Sequence, residues 1–89
     1  MRVDKFLKVA RVLKRRAISK ELADNDRILI NNKVAKPSTP VKVDDLITVI
    51  FGNRSITIQV TQIFDHIKKE EADTMYKIVE ELREVRNNE

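Results

Sequence analysis

The hydrophobic pattern changes period partway along the chain, and that change most narrows the architectures open to it. From Val3, the apolar positions Val3, Phe6, Leu7, Ala10 and Leu13 advance by steps of three and four, which places them on one face of an amphipathic helix. Ala17 to Asp24 continues with helix formers and the apolar positions Ile18, Leu22 and Ala23, enough for a short second helix ending at Asp24-Asn25-Asp26. Further on, Ile56, Ile58 and Val60 alternate with Thr57, Gln59 and Thr61, the period of a half-buried strand. Ile63 breaks that parity, so a bulge or a strand end is expected before it. The spacing predicts an α+β fold: two N-terminal helices packed on a small, mainly antiparallel sheet.

Turn chemistry divides the strand region. Ile28-Leu29-Ile30 and Val34-Ala35 flank Asn31-Asn32, a pair able to replace Asn-Gly in a two-residue hairpin. Leu46–Phe51 and Ser55–Val60 form a second hairpin around Gly52-Asn53. Lys36 to Pro40 holds both prolines and reads as a loop or strand edge. Towards the C-terminus, Ala72, Met75, Tyr76, Val79 and Leu82 recur at helical spacing among acids, which predicts a docked C-terminal helix. The expected division is residues 1–63 as the main domain and 64–89 as an acidic helix packed on it.

At 89 residues only a thin core is available, since chains of this size bury roughly 60 to 65% of their unfolded surface. A single glycine excludes Walker and G-x-G-x-x-G phosphate loops, which need several. With no cysteine and one histidine, thiolate catalysis, structural zinc and a serine triad lack their side chains. The adjacent carboxylates Asp44-Asp45 and Glu70-Glu71 diverge in a turn or helix, a poor arrangement for acid–base work. No enzymatic activity, cofactor or metal is expected. No run of apolar residues is long enough for a signal peptide or membrane span, so a cytoplasmic location is expected.

The formal net charge of +4 hides a steep gradient. Residues 1–20 carry eight bases against the single acid Asp4, residues 21–63 balance, and residues 64–89 are acidic. Asp4 reads as structural, in the first turn of a helix and four residues before Lys8, with Asp4, Lys8 and Arg11 along the polar side. Lys14, Arg15 and Arg16 are consecutive, and their repulsion calls for a counter-charge from outside. Spaced Lys and Arg of this kind suit a phosphate backbone, where they release condensed counterions, and Arg adds bidentate geometry. A second helix starting near Arg16 would add free amides at the same spot.

The residues Met1-Arg2-Val3-Asp4-Lys5-Phe6-Leu7-Lys8, Arg11, Lys14-Arg15-Arg16, Ile28-Leu29-Ile30-Asn31-Asn32 and Lys36-Pro37-Ser38 together resemble the RNA-binding domain of the ribosomal S-four type, over roughly residues 1–50. The resemblance implies that the helix pair and the following loop grip structured RNA through shape and phosphates. It makes Arg2, Lys8, Arg11, Lys14, Arg15, Arg16, Ser19 and Lys20 the RNA-contact candidates, with Lys36, Ser38 and Thr39 as a second rim. Arg16, at the elbow, is the position where reversal to Glu is expected to abolish binding and leave the fold intact. Three positions where the family commonly has glycine hold Asp26, Asn32 and Asp44, the best substitutes at positive φ.

Among short stand-alone members, this chain is similar to the RqcP family, and less to the heat-shock protein fifteen family with its longer basic extension. That implies a monomer on the large ribosomal subunit, contacting rRNA and peptidyl-tRNA while RqcH directs alanine tailing. Recycling of obstructed subunits in the manner of heat-shock protein fifteen is the alternative. A basic amphipathic helix for a membrane surface or a protein partner is another, of a different class. Phe6, Met75 and Tyr76 read as core. His66 beside Asp65 reads as a solvated loop residue, and Glu80, Glu81 and Glu84 as a solvated acidic face.

Overall fold

The computed structural model describes residues 1–83. Helix α1 spans Val3–Val9 and α2 spans Arg16–Asp24. Five strands follow: β1 (Ile28–Ile30), β2 (Lys33–Val34), β3 (Leu46–Phe51), β4 (Arg54–Val60) and β5 (Tyr76–Arg83). They form one antiparallel sheet in the order β2-β1-β3-β4-β5.

The helical stripe does what its period requires. Val3, Phe6, Leu7 and Ala10 are buried against Ile28, Ile47, Val49, Ile58 and Val60 from the sheet, each large side chain contributing roughly 1.5–3 kcal/mol of burial. The helix itself stops at Val9, short of Leu13, but Leu13 still returns its amide to the Leu7 carbonyl at 3.1 Å and stays half-buried.

Both helices end in the same motif, and neither uses glycine. After α1, the amides of Arg11 and Val12 reach back to the carbonyls of Lys8 and Leu7. After α2, those of Asp26 and Arg27 reach Ala23 and Leu22. These are Schellman pairings, in which the residue past the cap is left-handed; Arg11 has φ 62° and Asp26 φ 60°. Asn32 and Asp44 also have positive φ, so all three substitutes for the family's glycines adopt the conformation glycine would supply.

Asn31 and Asn32, at φ 52° and 69°, make the expected two-residue turn between β1 and β2. The Asn31 side chain accepts from the Leu46 amide and donates to buried Asp45, which pins this turn to the start of β3. Gly52 turns β3 into β4 at φ 62°, and β4 ends at Val60, before Ile63.

The C-terminal helix is corrected. Lys69–Met75 is a 3₁₀ helix that buries Ala72 and Met75, and the chain then enters β5, paired along β4 from Tyr76↔Val60 to Ser55↔Leu82. A register shift between Thr57 and Ile58 leaves Val79 without a partner on β4. Period two interrupted by one extra residue imitates steps of three and four, which is why the spacing suggests a helix. Tyr76, Ile78 and Val79 favour a strand, and the open edge of β4 supplies the amides and carbonyls to satisfy. On a strand Glu80 and Glu81 point to opposite faces, so they do not make one acidic face; Glu84 lies outside the described residues. Residues 76–83 thus complete the sheet that residues 28–60 build.

Candidate nucleic-acid interface

The elbow between α1 and α2 owes its shape to the left-handed Arg11, which turns the chain sharply after two turns of helix. Together α1, the elbow and the start of α2 form one side of a concavity of about 460 Å³. Of the sequence candidates, Lys8, Arg11, Lys14 and Arg16 line it. Lys5 lines it too, and the opposite wall is Asp65, His66 and Ile67. Among the described residues, no carboxylate lies within 4.0 Å of Lys8, Arg11, Lys14 or Arg15. Four cations are thereby left to an outside anion.

Asp4 is the internal organiser. Its carboxylate is 2% exposed and accepts from Arg2 Nε and Nη2 at 3.2 and 3.1 Å. Arg16 Nε lies 3.3 Å from Oδ2, and the Lys5 amide donates to Oδ1 at 2.7 Å. Asp4 therefore pairs with Arg2 and Arg16, not with Lys8, and sits on the buried flank of α1 where α2 folds against it. Arg16 consequently ties the two helices together, and Arg16→Glu would set a second carboxylate beside the buried Asp4. Loss of binding in that variant would not separate contact from fold, so Arg16→Glu is not the variant that tests the site.

The first turn of α2 holds no acid, and its N-cap, Arg15, makes no side-chain cap bond. The positive end of that helix and its neighbouring cations thus favour an anion from outside.

The remaining candidates are placed apart from the concavity. Ser19 is fully buried, its Oγ without a hydrogen-bond partner among the described residues, and it is removed from the contact set; its position on the inner side of α2 follows from the stripe that also buries Ala23. Lys20 pairs with Asp24 at 3.0 Å along its own helix. Lys36, Ser38 and Thr39 lie at the opposite end of α1, where the Thr39 and Pro37 carbonyls accept from the Val3 and Asp4 amides. The Thr39 hydroxyl accepts from the Lys36 amide, a bond within the turn. That loop serves α1 by satisfying its first amides, and it does not reach the concavity.

Six lining residues escape sequence reasoning, Lys5 and His66 among them. Lys5 precedes Lys8 by three positions, so the helical wheel could have placed it on the same face. No local signal marks His66, because its position depends on the chain returning from β4 across α1. Asp65 meets Lys5 at 3.5 Å, an exposed pair worth at most about 1 kcal/mol that steadies this wall.

Arg11→Gly separates backbone from charge. Relieving the left-handed side chain is expected to keep or raise stability by up to about 1 kcal/mol, read by urea unfolding. Removing one cation from the concavity is expected to weaken polyanion binding several-fold, read by titration with a structured RNA.

The S4 domain pattern matches residues 1–47, which contain α1, the elbow, α2 and the first hairpin. The chain is 53% identical over 81 residues to the RQC P-site tRNA stabilizing factor of Bacillus subtilis, covering 91% of this chain and 94% of that protein. It is 47% identical over 83 residues to the factor of the same name from Streptococcus pneumoniae, covering 93% and 94%. Among solved structures, the trimeric heat shock protein 15 of Vibrio cholerae superposes with a TM-score of 0.80 at 30% identity, over 89% of this chain and 81% of that one. Its helix pair, its sheet and its near full-length likeness to those two factors place this chain in the S4 domain family, among the RQC P-site tRNA stabilizing factors.

Proposed function

We propose that this protein is a ribosome-associated RNA-binding factor that stabilises peptidyl-tRNA on stalled large subunits and so supports RqcH-dependent alanine tailing. The observation that carries the reading is the row Lys8, Arg11 and Lys14, lining one concavity with no carboxylate within 4.0 Å of them among the described residues. The names of the relatives, with identity near half over nearly their whole length, support the P-site tRNA as the partner; the stalled large subunit comes from the family resemblance. Its part is to hold two RNAs in register, with rRNA and tRNA backbones meeting the same basic edge, and no bond is made or broken.

A membrane-surface helix fits less well. Val3, Phe6 and Leu7 are fully buried under the sheet, so α1 has no apolar face left for a bilayer. No helix among the described residues is long and apolar enough to cross a membrane.

The test compares binding to large subunits with and without P-site peptidyl-tRNA. Simultaneous contact with both RNAs is expected to tighten binding by about a hundredfold on the loaded subunit. Equal affinity for loaded and empty subunits would contradict the role in holding tRNA.

A further inference from the structure

We infer that the concavity beside the elbow takes one unpaired RNA base, laid against His66 and Ile67, with its flanking phosphates on Lys8, Arg11 and Lys14. The inference rests on the RNA-binding reading above and specifies which RNA feature this site accepts.

A phosphate ridge alone needs no recess. The convex backbone of an A-form duplex can ride over a row of cations, but only a nucleotide freed from pairing can enter a cavity. At about 460 Å³ the concavity is large enough for a nucleotide base and sugar. Its lining also has two chemistries. One part is the cations of α1 and the elbow; the other is Val9, Leu13 and Ile67, each half-buried, with His66 in the same lining. Half-exposed aliphatic surface next to an aromatic ring is a poor seat for phosphate and a good one for the face of a base.

The polarity of the walls sets the orientation. Asp65 is 74% exposed on the His66 side, where its charge repels phosphate. Phosphates therefore belong on the elbow side and the base on the side of residues 65–67. His66 makes no hydrogen bond among the described residues, so its ring is available, and the Lys5–Asp65 contact at 3.5 Å steadies the segment carrying it. This wall lies beyond residues 1–47, the part matched by the S4 domain, so it adds selectivity to a general RNA-binding surface.

The experiment measures binding of the full chain to two RNA hairpins of equal phosphate count, one fully paired and one carrying a single bulged adenosine, compared at matched salt over a series of salt concentrations. The bulged hairpin is expected to bind about tenfold more tightly, in line with stacking of one base. His66→Ala should erase that preference, so that the two hairpins bind the variant equally, whereas His66→Phe should preserve it. Because His66 is exposed, unfolding midpoints should not move. Equal wild-type affinity for the two hairpins would overturn the inference, as would a His66→Lys variant that keeps the preference while His66→Phe loses it. Failure of the underlying reading looks different: the wild type would then bind neither hairpin, or bind without salt dependence.

Discussion

Lys14→Glu combined with Arg15→Glu lowers affinity for large ribosomal subunits by about 10²- to 10³-fold and leaves the urea midpoint unchanged or slightly raised. Both side chains are exposed and free of carboxylate partners among the described residues, so the folded chain loses no contact. Folding even gains, because three adjacent cations become one, and acids arrive at the start of α2, where the macrodipole favours them by up to about 1 kcal/mol. Binding suffers twice, since each substitution removes a cation and adds an anion facing phosphate. Opposite movement of affinity and stability is the signature of a surface built for a partner. Subunit titration and urea unfolding on the same preparation read both quantities.

Asp4→Ala has the largest expected effect on stability, a loss of about 3 kcal/mol. The carboxylate is buried and receives three hydrogen bonds from two residues, Arg2 and Lys5, together with an ion pair to Arg16. Its removal leaves two guanidinium groups facing each other without their shared anion. The loss falls below the upper end for buried pairs because both arginines are 47% exposed and rehydrate in part. A domain of this size holds only a few kcal/mol in total, so the variant should be substantially unfolded near 37 °C. Circular dichroism against urea and temperature measures it. Binding lost in this variant reports the fold, whereas binding lost through Lys14 and Arg15 reports the site.

Long, strongly periodic segments were legible from residues alone. The stripe through Val3, Phe6 and Leu7 located α1 and its buried face, and Asn31-Asn32 and Gly52-Asn53 located both hairpins, because turn chemistry is local. Residues 76–83 misled because strand parity with one bulged residue, Val79, matches helical spacing, and only the waiting edge of β4 decides between them. At the site, Lys8, Arg11 and Lys14 were recognisable from charge density. The polar side of α1 does not hold Asp4, because its burial comes from α2 folding against α1, a contact that neither helix encodes by itself, whereas Ser19 lies four residues before Ala23 on the buried stripe of α2. His66 lay hidden for the same reason, brought to the elbow by a segment that follows β4.

RNA binding here depends on the cations of the elbow neutralising RNA phosphates. The most direct measurement is the salt dependence of binding to large subunits holding peptidyl-tRNA. With Lys8, Arg11, Lys14 and Arg15 unpaired among the described residues, the plot of log affinity against log salt should fall with a slope of about −3 to −4. In the Lys14→Glu, Arg15→Glu variant that slope should become shallower by about two. A slope near zero, or one that the double variant leaves untouched, would mean that these cations do not meet RNA phosphates.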